Sequence, residues 1–236
     1  ASVVRLPTTV EHWEDHLSGG TGLGIIPIRT DNTCYWGAID IDDYTVDLPK
    51  LAGELATKQI PVVVGRTKSG GAHLWMFCDD PVPAADMRRK LTELAAILGY
   101  AKSEIFPKQE QLLLDRGDVG NFLNMPYQAG DRTVRYAFDA SGNSLDMAEF
   151  IAICKERKLS LEQFYALDIA DLFGGYEPAE VLEQGPPCLQ HLCARGFTEG
   201  SRNNALFNLG VYARLFDEEN WETLVHKYNI EYLTPP

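Results

Sequence analysis

Apolar residues recur at helical spacing in several parts of the chain. The two clearest series consist of Leu48, Leu51 and Leu55 and of Met87, Leu91, Leu94, Ala95 and Leu98. Residues three or four positions apart share one face of a helix, so both segments are predicted to form amphipathic helices. Further helices are predicted over residues 11–17, 147–157 and 161–165, from a start near residue 200, and over residues 221–229.

Short runs of apolar and β-branched residues between these helices predict strands. They cover residues 21–28, 34–41, 61–64, 72–78, 120–126 and 133–138, with a shorter strand around Ile105. Turns are predicted at residues 31–33 and 141–143, where Asp, Asn, Ser and Gly cluster. This order of elements predicts a mixed α/β (α+β) core with a sheet in which antiparallel pairs dominate.

The predicted strand over residues 34–41 leads into two aspartates. Because side chains alternate along a strand, Asp40 and Asp42 project from one face while Ile39 and Ile41 anchor the other face in the core. Mg²⁺ or Mn²⁺ would offset the repulsion between two adjacent carboxylates. A metal site is therefore one interpretation of the pair. In the other, the aspartates enter a loop, with Asp42 or Asp43 capping the next helix.

A second polar segment follows the predicted strand over residues 61–64. It contains a glycine turn at residues 68–71 and leads into the predicted strand over residues 72–78. Glycines, here Gly70 and Gly71, let backbone amides approach an anion. Cationic and hydroxyl donors surround this turn, namely Arg66, Lys68, Ser69 and His73. The hairpin is therefore predicted to hold a phosphate group.

Composition fits a protein of the cytoplasm. The 236 residues are 45% hydrophobic, which is enough for a sizeable core. No run approaches the roughly 18 apolar residues of a membrane span, and the first residues show no secretory pattern. Five cysteines, an odd number, favour a reducing compartment over a disulfide framework. We expect a soluble, intracellular protein without a membrane partner.

The net charge of −13 argues against affinity for nucleic acid over the whole surface. Local clusters of positive charge nevertheless exist at residues 66–68, 88–90 and 132–135. A groove lined by such a cluster is sufficient for a polymerising enzyme, although an exposed helix face explains residues 88–90 more simply.

Three motifs follow one another between about residues 22 and 135. The first is a hydrophobic residue followed by Asp-x-Asp, ending at Asp42. The second is Ser-Gly-x-Ala-His-hydrophobic-Trp, ending at Trp75, and the third runs from Glu104 to Gln109 and leads into residues 120–127. In this combination and order the chain resembles the archaeo-eukaryotic primase superfamily, and within it the primase-polymerases of phages and other mobile elements.

The resemblance implies a role for each motif. Asp40 and Asp42 match the metal-binding carboxylates, and His73 matches the histidine that contacts the phosphates of the incoming nucleotide. Glu104 is the best match to the third carboxylate, which completes the catalytic, metal-binding set. Lys108 is expected to reach a nucleotide phosphate, with a solvated lysine as the alternative. Such a constellation suits two-metal nucleotidyl transfer with Mg²⁺ or Mn²⁺.

The third carboxylate has competitors. The family pattern places an aspartate after a hydrophobic residue, whereas here the carboxylate is Glu104 before Ile105. Glu110 and Asp115 lie nearby, but they are expected in the loop that follows. Glu104 is therefore preferred, and the other two stay open as alternatives.

The resemblance also implies a domain plan. Residues 1–173 are predicted to form the catalytic domain, with an RNA-recognition-like sheet beside an accessory α/β unit. Glycines and prolines predict a linker over residues 174–187, followed by a truncated helical region over residues 188–236. That region is similar to one related to the iron–sulfur domain of the large primase subunit. Cys188 and Cys193 alone supply too few thiolates for a cluster. We expect an excised fragment, with further ligands or a helicase outside this chain.

Two other sets of metal-ligand residues carry weaker signals. His12 and His16 share a helix face without an apparent third ligand, so a solvated helix is the preferred interpretation. Cys188, His191 and Cys193 match no standard zinc spacing, and a buried role as small residues is preferred.

Three classes of function are compatible with these patterns. The first is a DNA-dependent primase or primase-polymerase that acts on a single-stranded template or primer with nucleoside triphosphates, in the replication of a phage or mobile element. The second is a template-independent nucleotidyltransferase or an Asp-x-Asp glycosyltransferase, which leaves the His73 hairpin unexplained. The third is a non-catalytic RNA-recognition-like module, in which Asp40 and Asp42 would repel a phosphate backbone.

Overall fold

The computed structural model describes residues 7–173, 182, 185–195, 197 and 202–233. The strands are β1 (Gly24–Ile25), β2 (Thr33–Ile41), β3 (Val62–Arg66), β4 (Ala72–Pro83), β5 (Glu104–Phe106) and β6 (Leu123–Asn124). The helices are α1 (Val10–Ser18), α2 (Leu48–Thr57), α3 (Ala84–Ile97), α4 (Met147–Glu156), α5 (Leu161–Ala166), α6 (Ile169–Leu172), α7 (Pro187–Arg195), α8 (Arg202–Phe216) and α9 (Trp221–Tyr232).

A four-stranded sheet in the order β3-β4-β2-β5 forms the centre of the fold, and every neighbouring pair in it is antiparallel. β1 and β6 form a separate antiparallel pair. These sheets, with helices between and after their strands, confirm the predicted mixed α/β class and the helical region that follows the core.

One face of the four-stranded sheet packs against α2 and α3. Ile39 and Ile41 of β2 and Leu74 of β4 are fully buried there. Asp47 begins α2 by accepting a hydrogen bond from the backbone N–H of Lys50, which satisfies a donor that the helix itself leaves free. The apolar residues that predicted these two helices are buried, with Leu98 at the end of α3 only partly so, which confirms both amphipathic assignments.

The opposite face of the sheet carries a smaller apolar layer. Ala38, Val63, Trp75 and Phe106 are buried in it, and Met125 covers them from the loop after β6. This face also bears the polar residues of the predicted motifs, so its apolar layer forms the floor beside them.

Several predicted elements are shorter or longer than expected. The strands predicted over residues 21–28 and 120–126 shrink to β1 and β6, because each of these strands pairs with only two residues of the other. Residues 133–138 lie along β3 but make only isolated bridges, including one between Gly65 and Ala137. Helix α9 does not end at Asn229: it continues to Tyr232, because packing of Tyr228 and Tyr232 outweighs the weak helix propensity of asparagine.

The helical region has an apolar cluster of its own. Leu189 and Cys193 of α7, Leu209 and Tyr212 of α8 and Tyr228 of α9 are buried in it. Most of the linker predicted over residues 174–187 lies outside the described residues, and α7 begins at its last position. Within the described part of the chain, no helix is both long and apolar enough to cross a membrane.

Candidate functional site

A row of polar residues crosses the four-stranded sheet. Asp40 on β2 lies opposite His73 on β4 and opposite Glu104 on β5, and His73 lies opposite Gly65 on β3. Directly opposed residues in neighbouring strands project from the same face. The row therefore brings together one residue from each of the three sequence motifs, on the face opposite α2 and α3.

Asp40 and His73 are in direct contact. The Nε2 atom of His73 lies 3.3 Å from Oδ1 of Asp40, and both side chains are mostly buried. The His73 ring also packs edge-on against Trp75, with ring centroids 5.3 Å apart. These contacts hold the histidine in one orientation beside the carboxylate.

The row opens into a cavity of about 180 Å³. Its lining consists of Asp40, Asp42, Gly65, Arg66, Thr67, Lys68, Ser69, His73, Trp75, Asn124, Met125, Pro126 and Arg135. The lining thus combines two carboxylates with donors of the β3–β4 turn.

The β3–β4 turn owes its shape to two glycines with different roles. Gly70 has φ +105°, a conformation that side chains rarely adopt. A Cβ on Gly71 would lie only 2.2 Å from the carbonyl oxygen of Ile41. Gly71 does not line the cavity, so the structure gives it a packing role against β2. Lys68 and Ser69 are the turn residues that reach the cavity.

Three cationic side chains in the cavity lining have no acidic partner among the described residues. Among the described residues, Arg66, Lys68 and Arg135 make no ion pair. Arg66 donates a hydrogen bond from Nη1 to the carbonyl oxygen of Val134 at 3.0 Å, which holds its guanidinium against the segment over residues 133–138. Burial lowers the pKa of Arg135. An anionic ligand would compensate these charges.

Two buried donors in the cavity lining have no hydrogen-bond partner. They are Nε1 of Trp75 and Nη1 of Arg135. A Cβ on Gly65 would lie 3.3 Å from Trp75 Nε1, so the missing side chain of Gly65 leaves room beside that donor. An unsatisfied buried donor costs about 1–3 kcal/mol. Both groups are therefore candidate donors to oxygen atoms of a ligand.

Glu104 and Lys108 form an ion pair beside the cavity. Nζ of Lys108 lies 2.6 Å from Oε2 of Glu104, whose side chain is 54% exposed. Neither residue contributes to the cavity lining. The alternatives to Glu104 lie elsewhere: Glu110 pairs with Arg88 at 3.7 Å, and Asp115 is exposed in a short turn over Leu114–Arg116. Of the three carboxylates, Glu104 is the one directly opposite Asp40.

A family model described as "TOTE conflict system, Archaeo-Eukaryotic Primase domain" matches residues 4–141, more than half of the chain. The chain belongs to the archaeo-eukaryotic primase superfamily. This confirms the resemblance found in the three motifs, and it indicates a nucleotidyltransferase in the general sense. No curated protein matches the chain.

The carboxylates of this primase domain fit a hard divalent cation whose ligands come partly from the protein and partly from a substrate. No three His, Cys, Asp or Glu side chains in the described segments converge closely enough to hold a metal ion by themselves. Asp40 and Asp42 nevertheless line the same cavity. Mg²⁺ in proteins is commonly held by one or two carboxylates, while water and substrate phosphates complete its coordination.

Sequence reasoning missed three site residues of the primase domain. Trp75 carried a usable signal, because it lies two positions after His73 and therefore on the same face of β4. Asn124 and Arg135 come from segments distant in sequence, and only the fold brings them into the cavity lining.

His16 has a structural role, and it does not pair with His12. Its buried ring accepts a hydrogen bond at Nδ1 from the backbone N–H of Leu23 at 2.9 Å, and Nε2 donates to the carbonyl oxygen of Pro126 at 2.8 Å. The ring thereby fixes the segment that carries Pro126 into the cavity. His12 instead bonds Thr9 at the start of α1.

The possible zinc residues lie in the helical region. Cys193 is a buried free thiol, and burial raises its pKa to about 12. The side chains of Cys188 and His191 lie outside the described part of the structure.

Proposed function

We propose that this domain catalyses template-directed nucleotidyl transfer, as a DNA-dependent primase or primase-polymerase. It would join nucleotides from nucleoside triphosphates to a 3′-hydroxyl on single-stranded template DNA. The observation that supports this is the row of Asp40, His73 and Glu104, of which Asp40 and His73 line a cavity that also contains cationic donors without an ion-pair partner among the described residues. A metal-bound triphosphate needs this combination of carboxylates and cations.

Asp40 and Asp42 would hold Mg²⁺ or Mn²⁺, with Glu104 as a third ligand. A divalent ion bound there would help to activate the 3′-hydroxyl and to stabilise charge on the pyrophosphate leaving group. His73 contacts Asp40 in the structure, so it orients that carboxylate while its ring faces the cavity.

Cations and neutral donors would bind the triphosphate. Arg66, Lys68 and Ser69 supply charge and a hydroxyl from the β3–β4 turn, and Trp75 and Arg135 supply the two unpartnered N–H groups. Of these donors, Arg66, Trp75 and Arg135 are at least partly buried and so are held by the fold before the ligand arrives. Such preorganisation reduces the cost of binding and stabilises the charge that develops in the transition state.

Lys108 would exchange one partner for another. In the structure its ammonium group pairs with Glu104. If Glu104 served as a metal ligand, Lys108 would lose this partner. The released ammonium group would then be free to contact a nucleotide phosphate, the role that the resemblance implies.

The resemblance also suggests a role in replicating a phage or mobile element, with a helicase outside this chain as a possible partner. The contacts within this domain do not bear on that role, which stays a prediction.

The test is to measure nucleoside triphosphate binding with and without Mg²⁺ or Mn²⁺, and then with and without single-stranded template. A primase or primase-polymerase requires both the divalent metal ion and the single-stranded template for incorporation. Metal-dependent turnover without template would support the template-independent alternative, and template binding without metal-dependent triphosphate binding would support a non-catalytic module.

His73→Ala sharpens this test. We expect it to weaken triphosphate binding more than template binding, because His73 lines the cavity. His226→Ala is the control, since His226 is exposed on α9. Equal losses for both ligands would contradict the role of His73.

A further inference from the structure

A second, apolar space adjoins the cavity on the same face of the sheet. It has a volume of about 490 Å³, and its walls include Trp36, Trp75 and Phe77 from the sheet, Trp13 from α1 and Phe150 from α4. We call this space the aromatic groove. None of the sequence motifs explains why so many aromatic side chains collect beside a polar site.

The sheet side of the aromatic groove is a platform of rings. The Trp75 and Phe77 rings lie within 7° of parallel, with centroids 6.4 Å apart, and the Trp36 ring lies 5.2 Å from that of Trp75. Trp36 and Phe77 are only partly buried, so a ligand can reach them. A nucleic-acid base stacked on an aromatic side chain gains about 1–3 kcal/mol, and sheet aromatics are a common platform for unpaired bases.

The aromatic groove is continuous with the cavity. Trp75, Met125 and Pro126 line both spaces. Trp36 precedes Asp40 by four residues on β2, so the far end of the groove at Trp36 lies about 14 Å from Asp40 along the strand, at a rise of about 3.4 Å per residue. Single-stranded template that extends beyond the base positioned at Asp40 would reach Trp36 about four nucleotides away, at the phosphate spacing of a stacked strand.

The rim of the groove carries positive charge, in a protein whose net charge is −13. Lys155 and Lys158 contribute to its lining. Lys158 pairs with Asp79 at 3.5 Å, whereas Lys155 makes no ion pair with any described residue. Apolar rings inside and an uncompensated lysine at the edge match the two parts of a nucleotide, the base and its phosphate.

We propose that the aromatic groove binds an unpaired base of the template strand. The base stacks on Trp36 and Phe77, and Lys155 contacts the adjacent phosphate. An unpaired template base is the occupant because its faces and edges are free, whereas a primer base in a duplex is already stacked and paired. The identity of the strand rests on the proposed function, but the stacking site itself does not.

The test is a length series of single-stranded oligodeoxythymidines from 2 to 12 nucleotides, with binding measured by fluorescence anisotropy in the absence of triphosphate and metal. Wild-type affinity should rise steeply once the oligonucleotide exceeds about four nucleotides. Trp36→Ala should remove about tenfold to a hundredfold of affinity for the long oligonucleotides and little for the shortest. Tyr35→Ala is the control, because Tyr35 is an exposed aromatic on the same strand outside the groove.

A second substitution separates stacking from folding. Phe77→Leu keeps an apolar side chain at the site but removes the ring, and near-ultraviolet circular dichroism checks that the variant is folded. We expect the same length-dependent loss. Wild-type affinity for long oligonucleotides in both variants would overturn the proposal, and so would a wild-type series with no dependence on length, which would assign the groove to another occupant.

The outcome is independent of catalysis. Asp40→Asn should abolish incorporation and leave the length dependence intact. If the wild type fails to incorporate nucleotides but Trp36→Ala still shows the length-dependent loss, the proposed function is wrong and the stacking site stands. If incorporation requires template but neither groove variant changes binding, the proposed function stands and the stacking site is wrong.

Discussion

The two faces of the four-stranded sheet differ in their polar content, although the same strands build both. On the helix-covered face, Ile39 and Leu74 are fully buried among apolar neighbours. On the other face, Asp40 and His73 are in contact and open into a cavity. Adjacent residues in the chain thus belong to different environments, because side chains alternate along a strand. Stability and chemistry should therefore respond to different substitutions at neighbouring positions.

The largest expected effect is on the open face. Asp40→Asn or Asp42→Asn should lower nucleotide incorporation by about a thousandfold. The substitution removes the charge that would hold the divalent ion, and the transition state then loses the several kcal/mol of stabilisation that the ion would supply. The free energy of unfolding should stay the same or rise, since repulsion between the carboxylates is relieved. Single-turnover incorporation and urea unfolding measure the two quantities.

Asp43→Asn is the matched control for both aspartates. Asp43 carries the same charge, but it bonds Thr45 and does not line the cavity. Incorporation within about tenfold of wild type in either Asp40→Asn or Asp42→Asn would show that the carboxylates do not hold a catalytic metal.

The covered face should show the opposite pattern. Leu74→Ala should lower the free energy of unfolding by about 2–5 kcal/mol, because a fully buried leucine leaves a cavity behind. Incorporation per folded molecule should change little. Leu215→Ala makes the same substitution at an exposed leucine on α8 and should have almost no effect on unfolding. If Leu74→Ala loses more incorporation activity than its loss of folded protein explains, the covered face also affects the chemistry and the two faces are not independent.

Glu104 tests how far the polar row extends. Glu104→Gln should lower incorporation by about a hundredfold, the effect typical of removing one preorganised electrostatic group. Raised Mn²⁺ should restore part of the activity. Glu110→Gln and Asp115→Asn, measured at the same saturating triphosphate concentration, are the comparisons. If Glu104→Gln is the most active of the three, the third ligand lies in the loop after β5.

Trp75 tests the comparison between the two faces at a buried position, because its side chain is buried but lies on the face that bears the cavity. Trp75→Phe keeps an aromatic ring and removes the N–H, so triphosphate affinity should fall about tenfold while stability holds or rises. Trp221→Phe on α9 controls for the general effect of losing an indole. Unchanged affinity, measured by equilibrium binding in Mg²⁺, would mean that Nε1 does not contact the ligand.

The sequence predicted best the elements that bury one face. The apolar spacing of α2 and α3 and the alternation at the end of β2 are local patterns, and the structure agrees with them. β1 and β6 were overextended in the prediction because two residues of each pair across a long stretch of chain, and no local pattern shows where such pairing stops.

The same division applies to the candidate site. Alternation predicted that Asp40 and Asp42 share a face, and motif order added His73. That the buried donors of Trp75 and Arg135 have no partner is a property of tertiary packing, which spacing does not reveal. The close approach of the Ile41 carbonyl oxygen to Gly71 is likewise invisible in the sequence, because that oxygen comes from another strand.

Trp75 also has a thermodynamic consequence. One indole bounds both the cavity and the aromatic groove, so a ligand that shifts the ring from one side would change the affinity of the site on the other side. Linkage makes this cooperativity reciprocal: whatever factor the template strand contributes to triphosphate affinity, the triphosphate contributes to template affinity. A single side chain would then couple the binding of the template strand to the binding of the triphosphate.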